Sequence, residues 1–452
     1  MKELASRIMV DFLPMKDFAE NPLILTEGRG IYVTDADGKR YIDGLSGTFC
    51  VNLGHGNRAL AEAGARQLER LALACPTLGT SDRALELIRA LLDILPRQYT
   101  TVKLLSGGSE VTEAAIKMAR QYHKQAGTPT KYKILSHYRA YHGGTGHALA
   151  AGGWPGWRAA YEPLAGGFIH LHTPDPYRPP FPGTPETLAE AYARLVEEVI
   201  QLEGPETIAA LITEPIMTSA GVVVPPRGYL PRLRALCDRY GILLIYDEII
   251  TGFGRTGTLF AAEHEDTWPD LLCLGKGMSG GYAPLSATVV TDRVSKAFWG
   301  TASEGVQFHA GHTYGGNPVA SAIGLAAIRQ ILEDRIVENA KARGAQAQAR
   351  LREIQAREPA IGDVRGEGLL IGVEFVKDPA TRERFPADAN FGLTVRDAAR
   401  RRGLLLRASH WMVAFAPPLT TSAQEMDDIV DIFDLSLAEV RGRSGPARAP
   451  AR

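Results

Sequence analysis

Two short apolar runs in this chain stop on charged residues. Ile242-Leu243-Leu244-Ile245-Tyr246 ends on Asp247-Glu248, and Leu271-Leu272-Cys273-Leu274 ends on Gly275-Lys276. Runs of this length, rich in Ile and Leu and without alternation, are the pattern of strands buried on both faces of a parallel sheet. Ligands of open α/β sheets bind outside the carboxyl ends of the strands, which would put a lone carboxylate and a lone amine at one edge. A buried lysine gives up its proton easily, and a neutral amine can form a Schiff base. The competing reading is an ion pair, or two charges pointing into solvent.

The surroundings of the pair are specific. Asp247-Glu248-Ile249-Ile250-Thr251-Gly252-Phe253-Gly254-Arg255-Thr256-Gly257, followed by Gly275-Lys276-Gly277, resembles in residue type and spacing the signature of the class III pyridoxal-phosphate aminotransferases of fold type I. The resemblance implies that Lys276 carries pyridoxal 5'-phosphate as a Schiff base and that Asp247 pairs with the pyridine nitrogen. A carboxylate there keeps the ring nitrogen protonated and makes the ring an electron sink. The resemblance also implies cofactor contacts from Gly108, Ser109, Tyr141, Glu214, Ile249 and Thr313, and substrate contacts from Phe49, Tyr141 and Arg407. It implies no metal.

The elements that must position these residues are legible in outline. Val102-Lys103-Leu104-Leu105 reads as a strand that runs into Ser106-Gly107-Gly108-Ser109-Glu110, after which Val111, Ala114, Ala115, Met118, Ala119 and Tyr122 share one helical face. Strand, glycine-rich turn and helix start offer free amides and a positive dipole end to an anion. Gly108 and Ser109 are the phosphate-cradle candidates, with a plain N-cap serine as the competing reading. Lys133 to His137 and Ile208 to Ile212 read as further strands. The first leads to Tyr141-His142-Gly143, whose tyrosine in the resembling family stacks on the cofactor ring. The second ends at Thr213-Glu214-Pro215, where a surface glutamate is the alternative. Thr313, in Gly311-His312-Thr313-Tyr314, matches a family threonine that reaches the phosphate of the neighbouring subunit.

A dinucleotide-binding fingerprint, Gly252-x-Gly254-x-x-Gly257, sits inside the signature. The short segment before Pro269 leaves little room for the helix it requires, and two acids at the strand end would repel a pyrophosphate. It is read as a decoy.

The chain of 452 residues, 45% hydrophobic and 22% charged, has room for more than one domain around a large core. The net charge of −1 gives no reason to expect nucleic acid or an anionic membrane as partner. Cys50, Cys75, Cys237 and Cys273 are scattered without metal-ligand spacing, and Asp11, Lys16 and Asp17 interrupt any leader-like apolar run. A cytoplasmic protein is expected. The expected fold is α/β: a mostly parallel central sheet in a large domain over residues 60–325, and a smaller α+β domain built from residues 1–59 and 326–442, with a disordered tail over 443–452. A tight Asp37-Gly38 hairpin belongs to the small domain, residues 152–185 read as an irregular excursion, and Ser422-Ala423-Gln424-Glu425 is a capping box.

The activity expected from the resemblance is a ping-pong aminotransferase that moves an amino group from an amine or ω-amino acid to a keto acid such as pyruvate. Arg407 is the candidate clamp for a substrate carboxylate. It lies in Arg407-Ala408-Ser409-His410-Trp411, a segment without periodicity that would let the side chain swing away for an uncharged amine. A homodimer, or a dimer of dimers, is expected. Epimerisation or intramolecular amine transfer on the same scaffold is the alternative, and a non-catalytic cofactor-binding regulator a remote one.

Overall fold

Alternate residues of Leu243–Asp247 enter two different cores: Leu244 and Tyr246 face one, Leu243 and Ile245 the other. That is why the run lacks a polar face. It is the middle strand of a seven-stranded sheet in the computed structural model, which describes residues 2–442. The tail 443–452 lies outside the described residues.

In chain order the strands are β1 (Leu25–Arg29), β2 (Tyr32–Asp35), β3 (Arg40–Asp43), β4 (Tyr99–Leu105), β5 (Lys133–His137), β6 (Phe168–Leu171), β7 (Ile208–Thr213), β8 (Leu243–Asp247), β9 (Leu271–Leu274), β10 (Ser286–Thr291), β11 (Ile361–Glu367), β12 (Leu370–Phe375), β13 (Leu404–Leu405), β14 (Arg407–Ser409) and β15 (Met412–Phe415). The large sheet has the order β4-β10-β9-β8-β7-β5-β6. Its strands from β9 to β6 pair in parallel, and β10 runs antiparallel to both β4 and β9. The chain is therefore a mixed α/β protein with a mostly parallel central sheet.

Helix Gly108–Gln125 covers one face of the sheet, burying Val111, Ala115 and Met118 against Ile212, Ile245 and Leu271. Helices Pro185–Glu203 and Tyr229–Tyr240 contribute Tyr192, Leu233 and Leu236 to the core on the other. Helix Pro318–Glu333 is capped by the Asn317 side chain and packs on helices Arg58–Arg70 and Asp82–Asp93.

The two ends of the chain meet in four-stranded sheets, β1-β2-β3-β13 and β11-β12-β15-β14. Leu404 of β13 lies opposite Ile42 of β3, so residues far apart in sequence share one ladder. The Ser422 capping box is formed, with reciprocal bonds between Ser422 and Glu425 opening helix Ala423–Val440. Among the described residues no helix is long and apolar enough to cross a membrane.

Two segments differ from the sequence reading. The excursion 152–185 contains β6, which its prolines and glycines mask. Residues 407–409 are a strand rather than an irregular stretch, because Arg407 and Ser409 find ladder partners in Ala414 and Met412. Trp411, which follows that strand, packs under Arg384, whose guanidinium carbon lies 3.9 Å from the ring centroid.

Candidate active site

The carboxyl edge of β5, β7, β8 and β9 opens on one cavity. Gly108, Ser109, Tyr141, Glu214, Asp247, Ile249 and Lys276 all line it. They arrive from five strand ends: Gly108 and Ser109 after β4, Tyr141 after β5, Glu214 after β7, Asp247 and Ile249 at the end of β8, and Lys276 after β9.

Asp247 ends β8 and is 5% exposed. Its Oδ2 lies 2.8 Å from His142 Nδ1, and its Oδ1 accepts the Ile249 amide at 3.1 Å. One edge of the carboxylate is thus fixed by a ring and a backbone N–H. Glu248, the next residue, turns away: it accepts the amides of Ala261 and Ala262 and the Thr251 hydroxyl, each at 2.8 Å. The two acids at this strand end have separate tasks, one facing the cavity and one organising the loop.

Lys276 follows β9 in a left-handed backbone conformation, φ 44°, opening a single 3-10 turn, Lys276–Ser279. Such a conformation in a residue with a Cβ costs about 1–3 kcal/mol and is concentrated at functional sites. Burial holds the amine below the ordinary lysine range, against the opposing pull of Cys50, Asp247 and Glu214 and with the help of Arg407. A lysine so placed is readily neutral and nucleophilic.

Glu214, beyond the end of β7, is 4% exposed and accepts the amides of Thr218 at 2.9 Å and Tyr141 at 3.3 Å. Burial pushes its carboxyl up to about 7, with Asp247 adding to the effect and His142 opposing it. It therefore holds a proton into the neutral range, which suits a partner that changes its own protonation.

Helix Gly108–Gln125 is capped by Gly107 without any side-chain bond, so its first amides are free of a capping side chain. Ser109 is not the N-cap; it lies within the first turn, and its Oγ accepts the Gly144 amide at 3.0 Å. Gly143 makes this approach possible: at φ 140°, a Cβ there would stand 2.6 Å from Ser109 Oγ. Ser286 of β10 donates to the Gly107 carbonyl at 3.0 Å, tying the turn to the sheet.

Phe49 and Arg407 are not among the residues that line this cavity, but they stand beside each other, with the guanidinium carbon 5.7 Å from the ring centroid. Phe49 is buried at φ 60°. Arg407 is half-buried, its side chain forms no hydrogen bond or ion pair among the described residues, and burial lowers its proton affinity while Glu214 and Tyr141 oppose this. Thr313 is exposed and does not line the cavity.

Several residues at the site carried no signal in the sequence. Phe12 packs edge-on to Tyr141 with centroids 6.3 Å apart, and Trp157 does so at 5.4 Å. Nothing in their spacing points to Tyr141. His142 was visible within Tyr-His-Gly, yet its pairing with Asp247 depends on how β5 and β8 are placed. Arg255, inside the signature, is fully buried and donates to the carbonyls of Leu369 and Pro417, to Ser46 Oγ and to Asn52 Oδ1. It braces the signature loop against both ends of the chain. The glycine fingerprint leads only into turns and the 3-10 turn Ala261–Glu265, with no dinucleotide-type helix.

A lysine amine, a buried carboxylate and uncapped helix amides around one cavity match the three handles of pyridoxal phosphate: its aldehyde, its pyridine nitrogen and its phosphate. The donor set fits that group.

The family model for aminotransferase class-III matches residues 15–437. The uncharacterised aminotransferase YhxA of Bacillus subtilis is 39% identical over 415 residues, 90% of each chain. The putrescine–pyruvate aminotransferase of Pseudomonas aeruginosa is 33% identical over 411 residues, 90% of this chain and 89% of that one. Among solved structures, a thermostable (S)-enantioselective omega-transaminase from Thermomicrobium roseum superposes with a TM-score of 0.93 at 40% identity, covering 97% of both chains.

Proposed function

The chain belongs to the class-III aminotransferases, pyridoxal-phosphate enzymes, and from that membership we propose that it transfers an amino group from an amine or ω-amino acid to pyruvate. The observation that carries the substrate assignment is Arg407, an uncommitted guanidinium resting on the Phe49 ring beside the cavity. A cation without a carboxylate partner in the protein suits one on the substrate. The aromatic faces of Phe49, Tyr141, Phe12 and Trp157 suit the body of an uncharged amine. The relative that acts on putrescine and pyruvate supports the same class.

In this reading the amides of Gly108 and Ser109 would hold the cofactor phosphate, Tyr141 and Ile249 would flank the ring, and Glu214 and Asp247 would serve its hydroxyl and its pyridine nitrogen. Bound there, pyridoxal phosphate supplies an electron sink for the carbanion left when the substrate carbon loses its proton. Lys276 Nζ would take and return that proton, a role that its lowered proton affinity favours. Asp247 would face the pyridine nitrogen, held in place by His142 and the Ile249 amide.

Thr313 reaches a cofactor only from a second subunit. The exposed Leu78, Trp299 and Tyr314, at 89%, 87% and 61%, supply apolar surface for such a dimer. Four free thiols suit a reducing compartment, the cytoplasm.

A panel of donors and acceptors tests the assignment. Pyruvate is expected to be converted stoichiometrically to alanine by arylalkyl amines or diamines. Amino-acid racemisation with no keto acid consumed would replace transamination by epimerisation.

A further inference from the structure

Behind Asp247 lies a second buried imidazole. His137, the last residue of β5, is fully buried, and its Nε2 lies 2.8 Å from Tyr229 Oη. His142 is 2% exposed and uses Nδ1 for Asp247. One nitrogen remains on each ring, His142 Nε2 and His137 Nδ1. Both are buried and have no hydrogen-bond partner in the protein. Buried polar atoms are almost always satisfied, and where the protein supplies nothing an enclosed water does. The third imidazole nearby, His170, is already engaged with the Gly152 carbonyl and Arg158.

The protons can be placed. A carboxylate only accepts, so His142 Nδ1 is the donor to Asp247, and on a ring with one proton Nε2 is left as an acceptor. His137 is neutral, because burial, with His142 and His170 alongside, pushes it down to about 3. Burial drives the Tyr229 phenol the other way, so it keeps its proton. When Tyr229 donates to His137 Nε2, the single proton of His137 sits on Nδ1. Every donor then points in one direction.

We propose that His137 and Tyr229 are positioning residues for the cofactor: with His142 and one enclosed water they form a chain in which Tyr229 Oη donates to His137 Nε2, His137 Nδ1 donates through the water to His142 Nε2, and His142 Nδ1 donates to Asp247 Oδ2. Donors aligned on Asp247 make it less basic, so the proton it shares with the pyridine nitrogen stays on the ring. This rests on the reading that Asp247 faces that nitrogen.

Two measurements test the chain. Imidazole ¹⁵N spectra of the full-length protein, with and without pyridoxal phosphate, are expected to show both His137 and His142 protonated on Nδ1. An Nε2–H tautomer of His137 overturns the chain. In the loaded enzyme, Tyr229→Phe keeps the ring packing and removes only the terminal donor, and His137→Gln interrupts the middle. Each is expected to raise the midpoint of the pH titration of the lysine-bound visible band by about half a pH unit, a roughly threefold change in proton affinity. Unchanged midpoints in both variants, with native circular dichroism, overturn the proposal even if His142→Asn moves the band. A wild-type protein that forms no such band refutes the cofactor reading instead, and the tautomers measured without cofactor still decide the chain.

Discussion

Asp247 stands opposite Cys273 in the parallel register of β8 and β9, and Lys276 follows Cys273 three positions later, so the acid and the amine enter one cavity from neighbouring strand ends. Register is what joins them. A slip of one residue would turn Asp247 to the opposite face of the sheet and leave Lys276 without its carboxylate.

Replacing Lys276 by Ala is expected to abolish the visible absorption of lysine-bound cofactor and to slow transamination by ~10³-fold or more, the scale of losing both nucleophile and proton carrier. Absorbance and single-turnover kinetics check this. Survival of the band in Lys276→Ala would remove the lysine from its role.

Arg407→Ala is expected to lower kcat/KM for alanine and pyruvate by at least ~30-fold, about 2 kcal/mol of lost charge-assisted bonding. Use of an arylalkyl amine should change by less than about threefold, since that donor brings no carboxylate for a guanidinium to bond. Equal losses on both donors would mean that the guanidinium supports the pocket rather than the carboxylate. Because Arg407 lies in a paired strand, any movement belongs to its side chain and not to its backbone.

Glu214 binds its proton more tightly in the folded protein, at about 7, than its ordinary value of 4.5. A raised folded value means that its stabilising contribution is complete below pH 4.5 and is lost as pH rises through 7. In cofactor-free protein, Glu214→Gln is expected to remove about 3 kcal/mol of that decline. Glu248, also pushed up to about 7 by burial, retains its own share. Urea unfolding at either end of the window measures the difference, and parallel pH profiles for variant and wild type would contradict it.

Arg255→Ala is expected to cost about 3–5 kcal/mol, because it strands two buried carbonyls and two side-chain acceptors and opens a cavity. Arg255→Lys should recover only part of this, since one ammonium cannot span the acceptors that a planar guanidinium reaches. Denaturant midpoints check both variants; a loss below about 1 kcal/mol in Arg255→Ala would show that the brace is dispensable.

The sequence was readable where local pattern and tertiary context agree. Asp247 and Lys276 stood out because buried parallel strands have no polar residues until they end, and Gly108-Ser109 because strand, turn and helix follow at once. Strand β10 escaped notice: Ser286 to Thr291 alternates polar and apolar residues weakly, and its pairing with β4 is a contact between distant parts of the chain. β14, of three residues, exists only because another strand holds it. The packing of Phe12 and Trp157 on Tyr141, and the bond between His142 and Asp247, are consequences of assembly that no spacing announces.

β4 carries the turn that leads to Gly108 and Ser109, yet its only neighbour in the sheet is β10, and the bonds that fix it, Ser286 to Gly107 and Thr288 to Val111, span 179 and 177 residues. A nascent chain that has emerged as far as β9 already has the strands bearing Glu214, Asp247 and Lys276 and the face on which helix Gly108–Gln125 packs, but not the strand that pairs with β4. Closing that loop is a late, entropically costly event of high contact order. Held as proposed, with its phosphate at Gly108 and Ser109, pyridoxal phosphate would link this last-closed segment to the early-formed strands, and it is expected to act on the newly made protein as a clasp, with its greatest effect on the final step of folding.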